Sequence, residues 1–162
     1  MKATQLLTTL PLAIAVSMFL ASCGDSGAPN ADAGGATVEV TVQANDQMKY
    51  DTDLIEAKPG QKVQITLRNV GTMPKVSMGH NLVILDGKVA PEAFIEASQM
   101  QMANEYVAPE MIEHVIVHTK LLGPGEFDTI TFNAPKTPGD YPFICSFPGH
   151  YAIGMKGVFS VK

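Results

Sequence analysis

Two stretches of this chain alternate apolar and polar residues with a period of two, and that pattern constrains the fold more than any other feature. In 37–43, Val38, Val40 and Val42 fall on one face; in 62–69, Val63, Ile65 and Leu67 do the same. Side chains at i, i+2 and i+4 line one side of an extended chain, so each stretch is predicted to be a strand with one buried face. Shorter apolar runs at 81–85, 115–117, 129–132, 141–145 and 157–161 continue the pattern. Turn sequences separate them: Lys58-Pro59-Gly60-Gln61, Asp86-Gly87, Gly123-Pro124-Gly125 and Pro138-Gly139-Asp140. Several short strands at this spacing predict an all-β sandwich or barrel. Segment 91–106 breaks the rule. Ala93, Phe94, Ala97, Met100 and Gln101 recur with a helix-like period behind Pro91, which predicts a small helical flap inserted between strands.

The amino terminus reads differently. Lys2 precedes an apolar run over 10–20 that is too short to span a bilayer and fits a signal h-region. The run ends in Leu20-Ala21-Ser22-Cys23, which resembles a bacterial lipobox. Residues 1–22 are therefore expected to be a lipoprotein signal peptide and Cys23 the acylated first residue of the mature chain. The alternative is ordinary cleavage near Ser22. A multiply acylated cysteine holds a protein stably at a membrane. Residues 24–36, rich in Gly, Ala, Ser, Asp and Asn, then serve as a flexible tether. This leaves one domain, 37–162. Its acidic balance, with a net charge of −5 for the whole chain, and its lack of any basic cluster exclude an obvious nucleic-acid binder.

The chain has two cysteines, Cys23 and Cys145. With Cys23 lipidated, Cys145 is an unpaired thiol in an oxidising compartment, and a metal ion is its natural occupant. The surrounding sequence supports this. Cys145, His150 and Met155 stand as Cys-x4-His-x4-Met on one loop. Thiolate and thioether suit Cu(I), and imidazole suits Cu(II), so one Cys, two His and a distant Met let both oxidation states share a geometry. The second imidazole is expected from His80, in Met78-Gly79-His80-Asn81, at the start of a strand beside the Cys145 loop; Gly79 allows close backbone approach. Zinc accepts the same Cys and two His but has no use for Met155. His114 and His118 are separated by about 13 Å on an extended strand, too far to share one ion.

Met78–Val83, Val115–Gly123 and 145–157 closely resemble azurin, and the His150–Met155 spacing matches auracyanin, the membrane-tethered azurin-like protein of green photosynthetic bacteria. The resemblance implies a cupredoxin Greek-key β-sandwich of about eight strands, holding one type 1 copper ion. His80, Cys145 and His150 would be equatorial ligands, Met155 the axial ligand and the Gly79 carbonyl a weak contact. Asn81 would bond across to the Cys145 loop, and the Phe147 N–H would point at the sulfur. Electrons would leave through His150, via an apolar patch including Met78, Phe147, Pro148 and Tyr151. The azurin disulfide is absent. Asn69 stands where azurin buries a titrating histidine, so no such titration is expected. The implied function is single-electron transfer between redox proteins at the cell envelope, by a monomer that is not an enzyme. A copper-binding or delivery role is the alternative.

Overall fold

The computed structural model describes residues 35–162; the expected signal peptide, Cys23 and the expected tether through residue 34 lie outside them. Nine strands form two sheets. They are β1 (Val38–Asn45), β2 (Lys49–Tyr50), β3 (Leu54–Ala57), β4 (Lys62–Asn69), β5 (Val83–Leu85), β6 (Val115–His118), β7 (Phe127–Asn133), β8 (Gly139–Ile144) and β9 (Lys156–Val161). One sheet has the order β2-β1-β4-β7, the other β3-β9-β8-β5-β6. β1 pairs with β4, and β3 with β9, in parallel; the remaining pairs are antiparallel.

The period-two faces meet between the sheets. Val42, Val63, Ile65, Leu67 and Ile130 from one sheet join Ile55, Ile84, Phe143, Phe159 and Val161 from the other in a single buried core. β4 shows the alternation directly: Val63, Ile65 and Leu67 are buried, and the residues between them are not. β5 is buried at all three positions because it is covered on both faces. Ile84 belongs to the inner core, whereas Val83 and Leu85 join Ile144, Phe94 and Val107 in a second cluster on the outer face.

That second cluster lies under the flap. The helix predicted over 91–106 is real but shorter: α2 covers Pro91–Ser98, and a 3-10 turn follows at Met102–Asn104. Glu105 and Tyr106 have φ of 56° and 60°, and two successive left-handed residues end any helix. A second 3-10 turn, Pro109–His114, leads into β6. A short helix, α1 (Lys75–Met78), stands just before His80. The strand count exceeds the expected eight because β2 and β3 are short edge strands.

Candidate metal centre

Three of the predicted donors, from two separate parts of the chain, converge. One ligand atom each of His80, Cys145 and His150 lie within 4.8 Å of one another, and all three residues are buried. Cys145 directly follows β8, and its N–H donates to the Met155 carbonyl at 3.1 Å, so the ligand loop closes on itself. Inside it, the His150 N–H donates to the Phe147 carbonyl at 3.1 Å, and the Met155 N–H to the His150 carbonyl at 3.0 Å. His80 arrives from outside the loop on a bridge to Leu122, exchanging N–H···O bonds of 3.1 and 2.7 Å. Gly79 must be glycine: a Cβ there would meet the Lys75 carbonyl at 2.7 Å and the Leu121 side chain at 3.0 Å.

The three donor residues are buried and lie against one another. The Cys145 sulfur lies 3.4 Å from Nδ1 of His150, and the two imidazole rings are 4.9 Å apart. Burial depresses the pKa of both histidines to about 4, and for His150 the neighbouring His80 adds to the effect. For His80, Asp46 and the Asn45 carbonyl pull the other way. Burial pushes the Cys145 thiol up to about 11, against the backbone N–H groups of Asn81 and Phe147 and the Tyr50 hydroxyl, which favour thiolate. At neutral pH the protein alone thus holds two neutral imidazoles and a neutral thiol.

Neither ring nitrogen of His80 makes a well-formed hydrogen bond among the described residues, although both are buried; the Asn45 carbonyl favours the protonated ring without closing such a bond. A buried polar atom without a partner costs about 1–3 kcal/mol, and a bound cation removes that cost while drawing the proton from the thiol. Imidazole, imidazole and thiolate in one buried cluster fit a copper ion, and the donor atoms are close enough to share it.

Asn81 joins the two ligand-bearing segments. Its Oδ1 accepts from the Ser146 N–H at 2.9 Å, and its Nδ2 donates to the Ser146 hydroxyl at 2.8 Å and to the Glu105 carbonyl at 3.0 Å. The Tyr50 hydroxyl donates to the Asn81 carbonyl. Nothing in the sequence assigns Ser146, Glu105 or Tyr50 a role in the site; their part arises from contacts between residues 24 to 65 positions apart.

Met155 is fully buried at the end of the ligand loop, and Gly79 is buried beside His80. The expected apolar exit patch is only partly open. Pro148 is exposed and Met78 and Tyr151 are half-buried, but Phe147 is buried, packed between the rings of His150 and Tyr106 at 4.6 and 5.0 Å. His150 itself keeps 2% of its surface exposed. His114 and His118 stay apart from the cluster: the first faces Asp86 at 3.3 Å, the second the Thr119 carbonyl at 3.0 Å. Asn69 is buried with both ends of its amide used, donating to the Leu122 carbonyl and accepting from the Gly71 N–H.

Comparison with known proteins agrees with this geometry. Residues 36–162 match the family model of copper binding proteins, plastocyanin/azurin family. Azurin of Achromobacter denitrificans is 37% identical over 130 residues, 78% of this chain and 86% of that protein. Outer membrane protein H.8 of Neisseria gonorrhoeae is 41% identical over 115 residues, 70% of this chain and 62% of that protein. Among solved structures, reduced auracyanin of Roseiflexus castenholzii superimposes with a TM-score of 0.66 at 32% identity, covering 79% of this chain and 99% of that one. An azurin of Methylomonas sp. strain J gives 0.69 at 27% identity, covering 78% and 99%. A β-sandwich with a buried His-Cys-His cluster, matched over nearly its whole described length, places the chain in the plastocyanin/azurin family as an azurin/auracyanin-type cupredoxin that takes one copper ion.

Proposed function

We propose that this blue copper protein carries single electrons between redox proteins at the cell envelope. His80, Cys145, His150 and Met155 would hold the copper, with the Gly79 carbonyl a weak contact. The observation that carries the reading is His80: two buried, unpartnered ring nitrogens beside a buried thiol and a second buried imidazole. Copper held there supplies a one-electron couple. The protein's part is to keep the donors where both oxidation states accept them, so that little moves on transfer. The ties from Asn81 to Ser146 and from Cys145 to Met155 serve that end. The backbone N–H groups of Asn81 and Phe147, which favour the thiolate, draw charge from the sulfur and favour the reduced ion.

Transfer without bond chemistry suits a cluster whose three donors are all buried. His114 and His118, engaged elsewhere, offer no second copper centre, so an enzymatic role is not proposed. Redox partners would dock at the ligand-loop end, where Pro148 and the residual edge of His150 are accessible. The domain 37–162 would act as a monomer held to the membrane by an acylated Cys23 and a tether; the outer-membrane designation of the Neisseria relative supports that location. Copper delivery is the weaker reading, because His80 and Cys145 are wholly buried and His150 keeps only a residual edge in solvent.

The test is an optical and EPR spectrum of the full chain loaded with Cu(II). An intense visible thiolate charge-transfer band with narrow copper hyperfine splitting is expected, lost in Cys145→Ser. Copper should then be retained through repeated reduction and reoxidation. A colourless complex, or release of copper on reduction, would favour delivery instead.

A further inference from the structure

The turn that joins His150 to Met155 has few bonds of its own. The Gly154 N–H donates to the Tyr151 carbonyl at 2.9 Å, and Gly154 takes a left-handed φ of 94°. Its four residues, Tyr151, Ala152, Ile153 and Gly154, are half-buried or exposed. Two groups distant in sequence hold this turn in place. Lys49, on β2 of the four-stranded sheet, donates its ammonium to the Ile153 carbonyl at 2.9 Å. A Cβ added to Gly154 would stand 3.3 Å from the same ammonium, so lysine and turn are packed together. On the flap, Glu92 in the first turn of α2 accepts from the Tyr151 hydroxyl at 2.6 Å. The Tyr151 ring is further fixed by the Lys156 ammonium 4.5 Å above it and by packing against the cluster under the flap.

We propose that Lys49 and Glu92 are positioning residues: one from the sheet and one from the flap, they clamp the 151–154 turn and so set how closely Met155 can approach the copper. The inference rests on the copper reading with Met155 as axial ligand. The two polar contacts are exposed, and exposed charged contacts contribute little to stability. Their effect is therefore expected in the metal's properties rather than in the fold. The Met155 backbone is tied to Cys145 and His150, but the turn before it decides the angle at which its side chain enters the core. Release of either clamp lets the thioether recede. A more distant thioether donates less to Cu(II) and leaves Cu(I) favoured.

The test uses the full chain carrying Lys49→Met, which keeps the apolar stem, Glu92→Ala, or Tyr151→Phe, which keeps the ring and its stacking. The midpoint potential and copper EPR spectrum are measured after loading, and amide hydrogen exchange at Gly154 and Met155 is measured without copper. Each variant should raise the potential, alter the hyperfine splitting and speed exchange at those two amides. Lys49→Arg, which still donates to a carbonyl, and Glu92→Gln, whose amide oxygen still accepts, should restore wild-type values. Unchanged potential, spectrum and exchange would overturn the proposal, even with a lowered melting temperature. Exchange is read without metal, so failure of the wild-type chain to form a blue site would count against the copper reading, while the clamp would still be judged by the amides.

Discussion

Asn81 shows how much one side chain can hold. It links the segment that carries His80 to the loop of Cys145 through Ser146, and to the flap through the Glu105 carbonyl. Asn81→Ala would strand the Ser146 N–H, which is buried, and the Glu105 carbonyl, which the left-handed backbone at Glu105 and Tyr106 prevents from turning freely. Each lost partner costs about 1–3 kcal/mol, so roughly 2 kcal/mol or more of stability should disappear in urea denaturation of the copper-free chain. The loaded variant should also lose copper faster to a chelator, since its ligand segments are no longer joined; wild-type release would show that the loops hold themselves. At this scale the ligands were legible in the sequence and their supports were not. Cys145, His150 and Met155 announce themselves by residue type and spacing on one loop, and Gly79-His80-Asn81 by its place before an apolar run. Ser146 and Tyr50 are ordinary residues until the fold brings them to Asn81, 65 and 31 positions away.

Among elements, strands with a clear inner face were legible and edge pieces were not. β4 alternates over eight residues and was found with its exact bounds. β3 was missed because its four residues pair only along β9, which leaves Leu54 half exposed and gives no pattern long enough to read. β2 has only two residues. The flap was found but overextended, because the periodicity of 91–106 carries no sign that Glu105 and Tyr106 turn left-handed. One connection bears directly on the metal centre. Asp46, just after β1, accepts from the Thr72 N–H at 2.8 Å, the Thr72 hydroxyl at 2.9 Å and the Met73 N–H at 3.3 Å, fixing the segment that leads through α1 to His80. The Thr72 N–H, with further help from its hydroxyl and Met73, holds the Asp46 carboxyl below its usual range. A carboxylate whose pKa is lower folded than unfolded contributes stability above the unfolded value and loses it as pH falls through the folded one. Asp46→Asn should therefore be less stable than wild type at neutral pH, with the gap in urea midpoints closing as pH falls below the ordinary carboxylate range. A gap independent of pH would mean that charge at Asp46 is irrelevant and only its shape matters.

For the whole molecule, the question is whether copper holds the fold or the fold holds copper. The inner core runs through both sheets from Val42 to Val161 and takes in Cys145 and Met155, while His80 and His150 join Cys145 in the ligand cluster at its border. Cys145 is a free thiol, so no cross-link involving it shares the work. Burial of that size stabilises a domain without metal. Copper binds only the folded arrangement, because the unfolded chain separates His80 from Cys145 by 65 positions of flexible backbone. At a thousandfold excess over the dissociation constant such binding adds about 4 kcal/mol. For a domain of this length that corresponds to a rise in melting temperature of roughly 10–20 °C. Removal of copper by a chelator should thus lower the melting temperature by that order while far-ultraviolet circular dichroism stays that of a β-sandwich, and added copper should restore both colour and melting point. A copper-free chain with no cooperative transition would reverse the order of cause: the unpartnered imidazoles of His80 would then cost more than the core supplies, and the metal would be a folding element rather than a cargo of electrons held by a finished scaffold.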